Sequence, residues 1–195
     1  MNFARALKIL RNNNLTLVES TTKNIVAKCR ERIQDHITRV KYFYNILVES
    51  GQIPLEDIDI KRVMKHDSDK LKYNNLVRQA LRFTPEDELT ETDREKIIAV
   101  VMEHVSTHPH HCEYWGEGPE MPNTYIYEMC ADWAATAEER GTSLMDWCKK
   151  SVNDFMFTYE QTELIFSLCE YLTEYINPEY KRDYGLNQIS IKDII

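Results

Sequence analysis

Apolar residues recur at helical spacing from Ile25 to Val48, through Val26, Cys29, Ile33, Ile37, Val40, Tyr44 and Leu47. At 100° per residue these positions form one stripe, which commits the chain to a long amphipathic helix that other helices must cover. The helix is expected to start at Thr21 or Thr22, either able to cap, and to run to about Glu49, where Gly51 and Pro54 stop it. The same spacing returns downstream. Pro54 with Glu56 and Asp57 suits the first turn of a second helix reaching His66-Asp67, and a third continues from Ser68 or Asp69 through Leu71, Leu76, Val77 and Leu81. Thr84-Pro85 restarts the chain, and Thr92-Asp93-Arg94-Glu95 reads as a capping box opening a helix to about Thr107. Pro109 ends that helix, and residues 110–122 have the Gly and Pro density of a loop. Further helices are expected at about 123–140, stopped by Gly141, at 143–156 and at 159–176, closed by Asn177-Pro178. Residues 1–18 read as one short helix, and the tail from Glu179 carries no signal. With no convincing strand pair and no repeat, the expected class is all-α. It is read as a single-domain helical bundle of about six to eight helices over residues 1–195, with its core at about 20–177 and a tail at 178–195.

The chain's 195 residues are 43% hydrophobic and 29% charged with only five glycines, a globular, helix-leaning composition. A formal charge of -8 argues against a partner such as duplex nucleic acid or an anionic membrane surface, while leaving room for a local basic pocket around one phosphate. Cys29, Cys112, Cys130, Cys148 and Cys169 are odd in number, widely spaced and form no C-x-x-C pair. That pattern fits reduced thiols, not a disulfide framework or a zinc ribbon. The start from Met1 to Leu10 mixes Arg5 and Lys8 into a short apolar run, neither a signal peptide nor a membrane span, so the cytoplasm is expected.

Several polar residues interrupt the apolar stripes. In a helix, Ile60, Val63, Met64, Asp67 and Leu71 fall at i, i+3, i+4, i+7 and i+11, which sets the Asp67 carboxylate inside the stripe. A carboxylate there needs a cation or several donors. His66 and Lys70 share its wall, which suits a metal or phosphate site. His36 lies between Ile33 and Val40, His104 shares a face with Ile97 and Val101, and Asp132 stands on the shoulder of the stripe Ile126, Met129, Cys130, Trp133 and Ala137. Each alone has an ordinary explanation. A single inward histidine bonds a backbone carbonyl, His66-Asp67 can close one helix and cap the next, and Asp132 can be solvated. Together, imidazole and carboxylate are what a divalent transition metal takes. In the Gly/Pro loop, Tyr114 and Trp115 could stack on a nucleobase and Glu113 could bind a sugar or carry a proton, or the aromatics simply anchor the loop. Glu128, one turn before Asp132, reads as a solvated face residue ahead of a partner to the site, and Arg78 and Arg82 read as surface cations.

The order His36, then His66-Asp67, then Asp132 resembles the HD-domain superfamily of metal-dependent phosphohydrolases, and Lys70 resembles the Lys of the His-Asp-x-x-Lys form in its two-metal branches. The runs His110-His111-Cys112-Glu113-Tyr114-Trp115, Met121-Pro122 and Glu128-Met129-Cys130-Ala131-Asp132-Trp133 are similar to an uncharacterised, HD-related domain-of-unknown-function family, over roughly residues 30–175. The resemblance implies one ion held by His36, His66, Asp67 and Asp132. It further implies that Asp67 bridges to a second ion held by His104 and by His110 or His111, with His108 ranked behind them. One departure is that the extra histidines of those branches usually come from separate elements, whereas His104 to His111 are close in sequence. The implied cofactor is a divalent transition metal, one or two ions of Mn, Fe, Co or Mg ahead of zinc. The implied chemistry is hydrolysis of a phosphate monoester or diester, a nucleotide first, by a metal-activated hydroxide. Asp67 and Lys70 would be the catalytic pair, with Lys70, Glu113, Tyr114 and Trp115 around the small phosphorylated molecule. Two alternatives share this residue list: a di-iron oxygenase, and a non-catalytic regulator that binds a metal or nucleotide. A homodimer stays open, because the stripes of the last two helices serve a core or a partner equally well.

Overall fold

The computed structural model describes residues 15–83, 89–116 and 120–180, and every regular element among them is helical. Eight α-helices follow in order: α1 Leu15–Glu49, α2 Ile60–Val63, α3 Tyr73–Ala80, α4 Glu91–Thr107, α5 Cys112–Trp115, α6 Asn123–Arg140, α7 Leu144–Phe155 and α8 Tyr159–Thr173. The expected helix over residues 1–18 lies mostly outside the described residues, as do Thr84-Pro85 and the tail beyond Tyr180. No described helix is long and apolar enough to cross a membrane.

Local chemistry accounts for the ends. Helix α1 is already formed at Leu15, ahead of the start expected at Thr21 or Thr22. It closes at Gly51, whose φ of 74° is left-handed. The Gln52 N–H reaches the Leu47 carbonyl at 3.0 Å and the Gly51 N–H reaches that of Val48 at 3.1 Å, the paired closure that a glycine after a helix permits. The cap of α4 sits two residues before the expected Thr92. Thr90 Oγ1 accepts from the Asp93 N–H at 3.2 Å, and Asp93 Oδ2 accepts from the Thr90 hydroxyl at 2.6 Å. Ser143 caps α7, and Thr158 with Gln161 forms a capping box on α8. A short helix, α5, stands inside the expected loop.

The single helix expected from Pro54 to Asp67 is not formed. A 3-10 turn, Leu55–Asp57, gives way to the four-residue α2, because the Asp59 side chain accepts the Arg62 N–H at 3.0 Å while the Asp59 N–H donates to the Tyr44 hydroxyl at 3.1 Å. The proposed stripe dissolves with it. Val63 is buried, but Ile60 and Met64 are 42% and 57% exposed. Asp67 is buried for another reason: it leaves the helix altogether, with φ 54° and ψ 12°, and a 3-10 turn, Ser68–Leu71, separates it from α3.

The chain falls into two compact units. One comprises Met1–Asp35, Asp67–Glu103 and Asp183–Ile195, and within it Leu81, Leu89 and Ile97 pack with Ile25 and Val77. The other comprises His36–His66 and His104–Arg182. Its larger core joins Phe43, Tyr44 and Leu47 of α1 to Ile126, Met129 and Ala134 of α6, Cys148 of α7, and Ile165 and Leu168 of α8. Leu168 has no exposed surface, so Leu168→Ala is expected to cost about 2–5 kcal/mol in urea unfolding, by lost burial plus the cavity it leaves. A loss below about 1 kcal/mol would show that this core is loosely packed.

Candidate metal centre

The second unit carries most of the residues singled out by sequence. Its segments begin or end at His36, His66 and His104, and α6 supplies the carboxylates. Glu128, Asp132 and Glu139 stand at i, i+4 and i+11, so one face of that helix presents all three.

Asp132 Oδ1 lies 2.9 Å from His36 Nε2 and 3.9 Å from His66 Nε2. Glu139 Oε2 lies 3.6 Å from the other ring nitrogen of His36. On the far side of His66, Nδ1 meets Glu128 Oε1 at 2.9 Å, and the ring centroid of His110 is 4.3 Å away. His66, His110 and Asp132 each offer a ligand atom within 4.8 Å of the others. A second set adjoins the first, since the ligand atoms of His104, His110 and His111 also lie within 4.8 Å of one another. His110 thus belongs to both sets. His108 stacks on His104 at 4.2 Å, and its Nδ1 lies 2.9 Å from the His104 carbonyl oxygen. His66, His104 and His110 are buried, and the Asp132 side chain is 13% exposed. Imidazole nitrogens converging on a carboxylate oxygen are an N/O donor set that fits a divalent transition metal.

Asp67 and Lys70 belong to the first unit, with Asp67 joined to His66 by one peptide bond. Lys70 Nζ donates to Asp67 Oδ2 at 2.6 Å. Aspartate and asparagine are among the few side chains that enter the left-handed region readily, which accounts for Asp67 holding this turn.

Of the residues expected around a substrate, Glu113 and Tyr114 are exposed on α5. Trp115 anchors the loop instead: its Nε1 donates to the Pro109 carbonyl at 2.8 Å and its ring packs at 5.5 Å from that of Tyr125. Arg78 forms an exposed ion pair with Glu103, in line with a surface cation.

The reading of Glu128 as a solvated residue is overturned. It is 2% exposed, and its second oxygen accepts from Arg62 Nε at 2.7 Å. Arg62 and Glu139 were also outside the expected set. Glu139 could have been found from its spacing with Asp132, whereas nothing local marks Arg62. Burial alone would raise the Glu128 pKa, but the hydrogen bond from His66, the charges of His110 and His66 and the bond from Arg62 overcome it and hold the carboxyl below its ordinary 4.5. A depressed folded-state pKa adds stability that is present above the unfolded value and is lost as pH falls through the folded one. Urea midpoints of the metal-free protein are therefore expected to fall below pH 4.5, and Glu128→Gln should flatten that part of the curve. An unchanged acid limb in the variant would assign the loss to other carboxylates.

All five cysteines are free and buried. Burial pushes the Cys29 thiol up to about 11, against the lowering effect of Arg32, Arg82 and Arg30, so it stays protonated at neutral pH.

Residues 25–178 match the model described as "Family of unknown function (DUF5662)". No curated protein and no solved structure matches the chain.

Proposed function

Since the chain belongs to the DUF5662 family, whose function is unknown, we propose from its own side chains that it is a metal-dependent phosphohydrolase acting on a phosphate monoester or diester, a nucleotide first. The observation that carries this reading is the convergence of His36 and His66 on the Asp132 carboxylate, with His110 beside them. In this reading His36, His66 and Asp132 hold one divalent ion, and Asp67, the chain neighbour of His66, is the further ligand that the likeness to the HD-domain superfamily implies. His104 with His110 or His111 takes a second. The mixed N/O set favours Mn, Fe, Co or Mg over structural zinc. When bound, such an ion supplies acidification of water and neutralisation of phosphoryl charge.

The chain's residues do the rest. Buried carboxylates and imidazoles fix the position of the reacting phosphate through the ion they hold. Lys70 keeps the Asp67 carboxylate oriented and brings an ammonium donor to a phosphate oxygen. Tyr114 offers an exposed ring for a base. The likeness to the HD-domain superfamily belongs to this proposal, and so does the cytoplasm, which the five free cysteines support.

The test is metal content by elemental analysis after reconstitution with Mn²⁺, on the wild type and on Asp67→Asn. Asparagine keeps the left-handed turn that alanine would strain, so a loss reports the carboxylate and not the backbone. One or two equivalents in the wild type, a large loss in the variant, and Mn²⁺-dependent phosphate release from nucleoside monophosphates are expected. A folded wild type that takes up no ion overturns the reading. Iron uptake with oxygen consumption and no phosphate release would replace it with the oxygenase.

A further inference from the structure

The carboxylate of Glu128 has two distinct engagements. Oε2 accepts from Arg62 Nε at 2.7 Å, and the guanidinium is itself clamped. Its Nη2 donates to the Thr124 carbonyl at 2.6 Å, its Nη1 to Thr124 Oγ1 at 3.2 Å, and the Tyr125 ring lies 4.3 Å beneath it. Oε1 is turned the other way, 2.9 Å from His66 Nδ1 and 3.6 Å from His110 Nδ1. A carboxylate paired with an arginine is an acceptor only, so the nitrogen of His66 that meets it carries the proton. With Nδ1 occupied in this way, the lone pair of a neutral His66 lies on Nε2, the nitrogen that faces Asp132 Oδ1 at 3.9 Å. Glu128 Oε1 also stands 3.6 Å from His110 Nδ1, just outside hydrogen-bond reach, where its charge favours a proton on that nitrogen.

We propose that Glu128 is the positioning residue of the metal centre: braced by Arg62, it selects the Nδ1–H tautomer of His66 and turns His66 and His110 so that their Nε2 atoms serve the ion. This rests on the metal-binding reading above and assigns Glu128 a task that a structural strut between α2 and α6 would not need. A strut requires only the oxygen that meets Arg62. The second oxygen, aimed at two imidazoles, is the feature that the strut leaves unexplained. Partners that orient a ligating histidine are commonly worth 10–100-fold in metal affinity.

The experiment is ¹⁵N-histidine NMR of the metal-free full chain at a pH where the rings are neutral, followed by titration with Zn²⁺ as a diamagnetic probe. The wild type is expected to show His66 protonated on Nδ1 and to take Zn²⁺ at Nε2. Glu128→Ala should populate both tautomers of His66 and weaken Zn²⁺ binding by about 10–100-fold. Glu128→Gln, whose amide oxygen still accepts from Nδ1–H, should lose less. Wild-type His66 protonated on Nε2 would overturn the inference without any variant. So would Glu128→Ala with both the wild-type tautomer and the wild-type zinc affinity, and where the alanine variant does not fold, the wild-type tautomer alone decides. A wild type that shows the expected tautomer yet binds neither Zn²⁺ nor Mn²⁺ would leave the tautomer selection standing and bring down the metal reading, which keeps the two failures apart.

Discussion

Asp132→Ala is expected to lose its bound divalent ion almost completely while keeping its fold. Asp132 Oδ1 lies within 4 Å of both His36 Nε2 and His66 Nε2, so its removal takes from these two imidazoles a carboxylate that would help to balance a dication. Orienting partners one step removed from an ion already cost 10–100-fold, so loss of a ligating carboxylate should weaken Mn²⁺ binding by roughly a hundredfold or more. The apoprotein should suffer far less. Asp132 keeps partial exposure, and giving up its charge-assisted contact with His36 costs about 1.5–3 kcal/mol at most. Calorimetric titration and thermal melting with and without Mn²⁺ separate these effects. Ligand at a hundred times its Kd should stabilise the wild type by about 2.7 kcal/mol, and the variant should show no such gain. Equal Mn²⁺ affinity in the two proteins would remove Asp132 from the centre.

Arg39→Ala should have the opposite profile, a large loss of stability with no specific effect on metal uptake by the molecules that remain folded. Glu138 has no exposed side-chain surface, and both its oxygens are engaged by Arg39, Oε2 by Nε and Oε1 by Nη2 at 2.6 Å. Oε1 also accepts the Asn177 N–H at 2.9 Å, which ties α6 to the segment after α8. The guanidinium lies against the rings of Tyr42 and Tyr180, at 4.2 and 4.5 Å. Removing the arginine leaves a buried carboxylate with one backbone donor, and breaking a buried pair from one side costs about 3–5 kcal/mol. Against a typical total of about 5–15 kcal/mol, that is a large share. The double variant Arg39→Met/Glu138→Leu should recover much of the loss, because neither charge is then stranded. A single-variant cost below about 1 kcal/mol in urea unfolding would mean that water reaches Glu138 once the arginine is gone.

The adjacent residues Glu138 and Glu139 show how far local pattern reaches. Both look like surface glutamates at the end of α6, yet one braces the unit through Arg39 and the other faces His36. Sequence distance explains why this was hidden. Arg39 and Glu138 are 99 residues apart, and Arg62 and Glu128 are 66 apart. No periodicity within a helix carries information across such a span.

What the sequence by itself determined was the helical class, the extent of α6 and α7 to within a residue or so, and the inward placement of His36 and His104. Apolar spacing, capping residues and stop signals all act within a turn or two of chain, so they can be read from neighbours. The helix expected across Pro54 to Asp67 failed because the Asp59 side chain and the Tyr44 hydroxyl claimed the backbone groups it needed. Only the tertiary structure decided that Asp67 would sit in a left-handed turn, that Glu128 would be buried, and which histidine would meet which carboxylate. A buried charge takes its character from the partners brought to it. For Glu128 those partners, Arg62 and His66, arrive from elements more than sixty residues away.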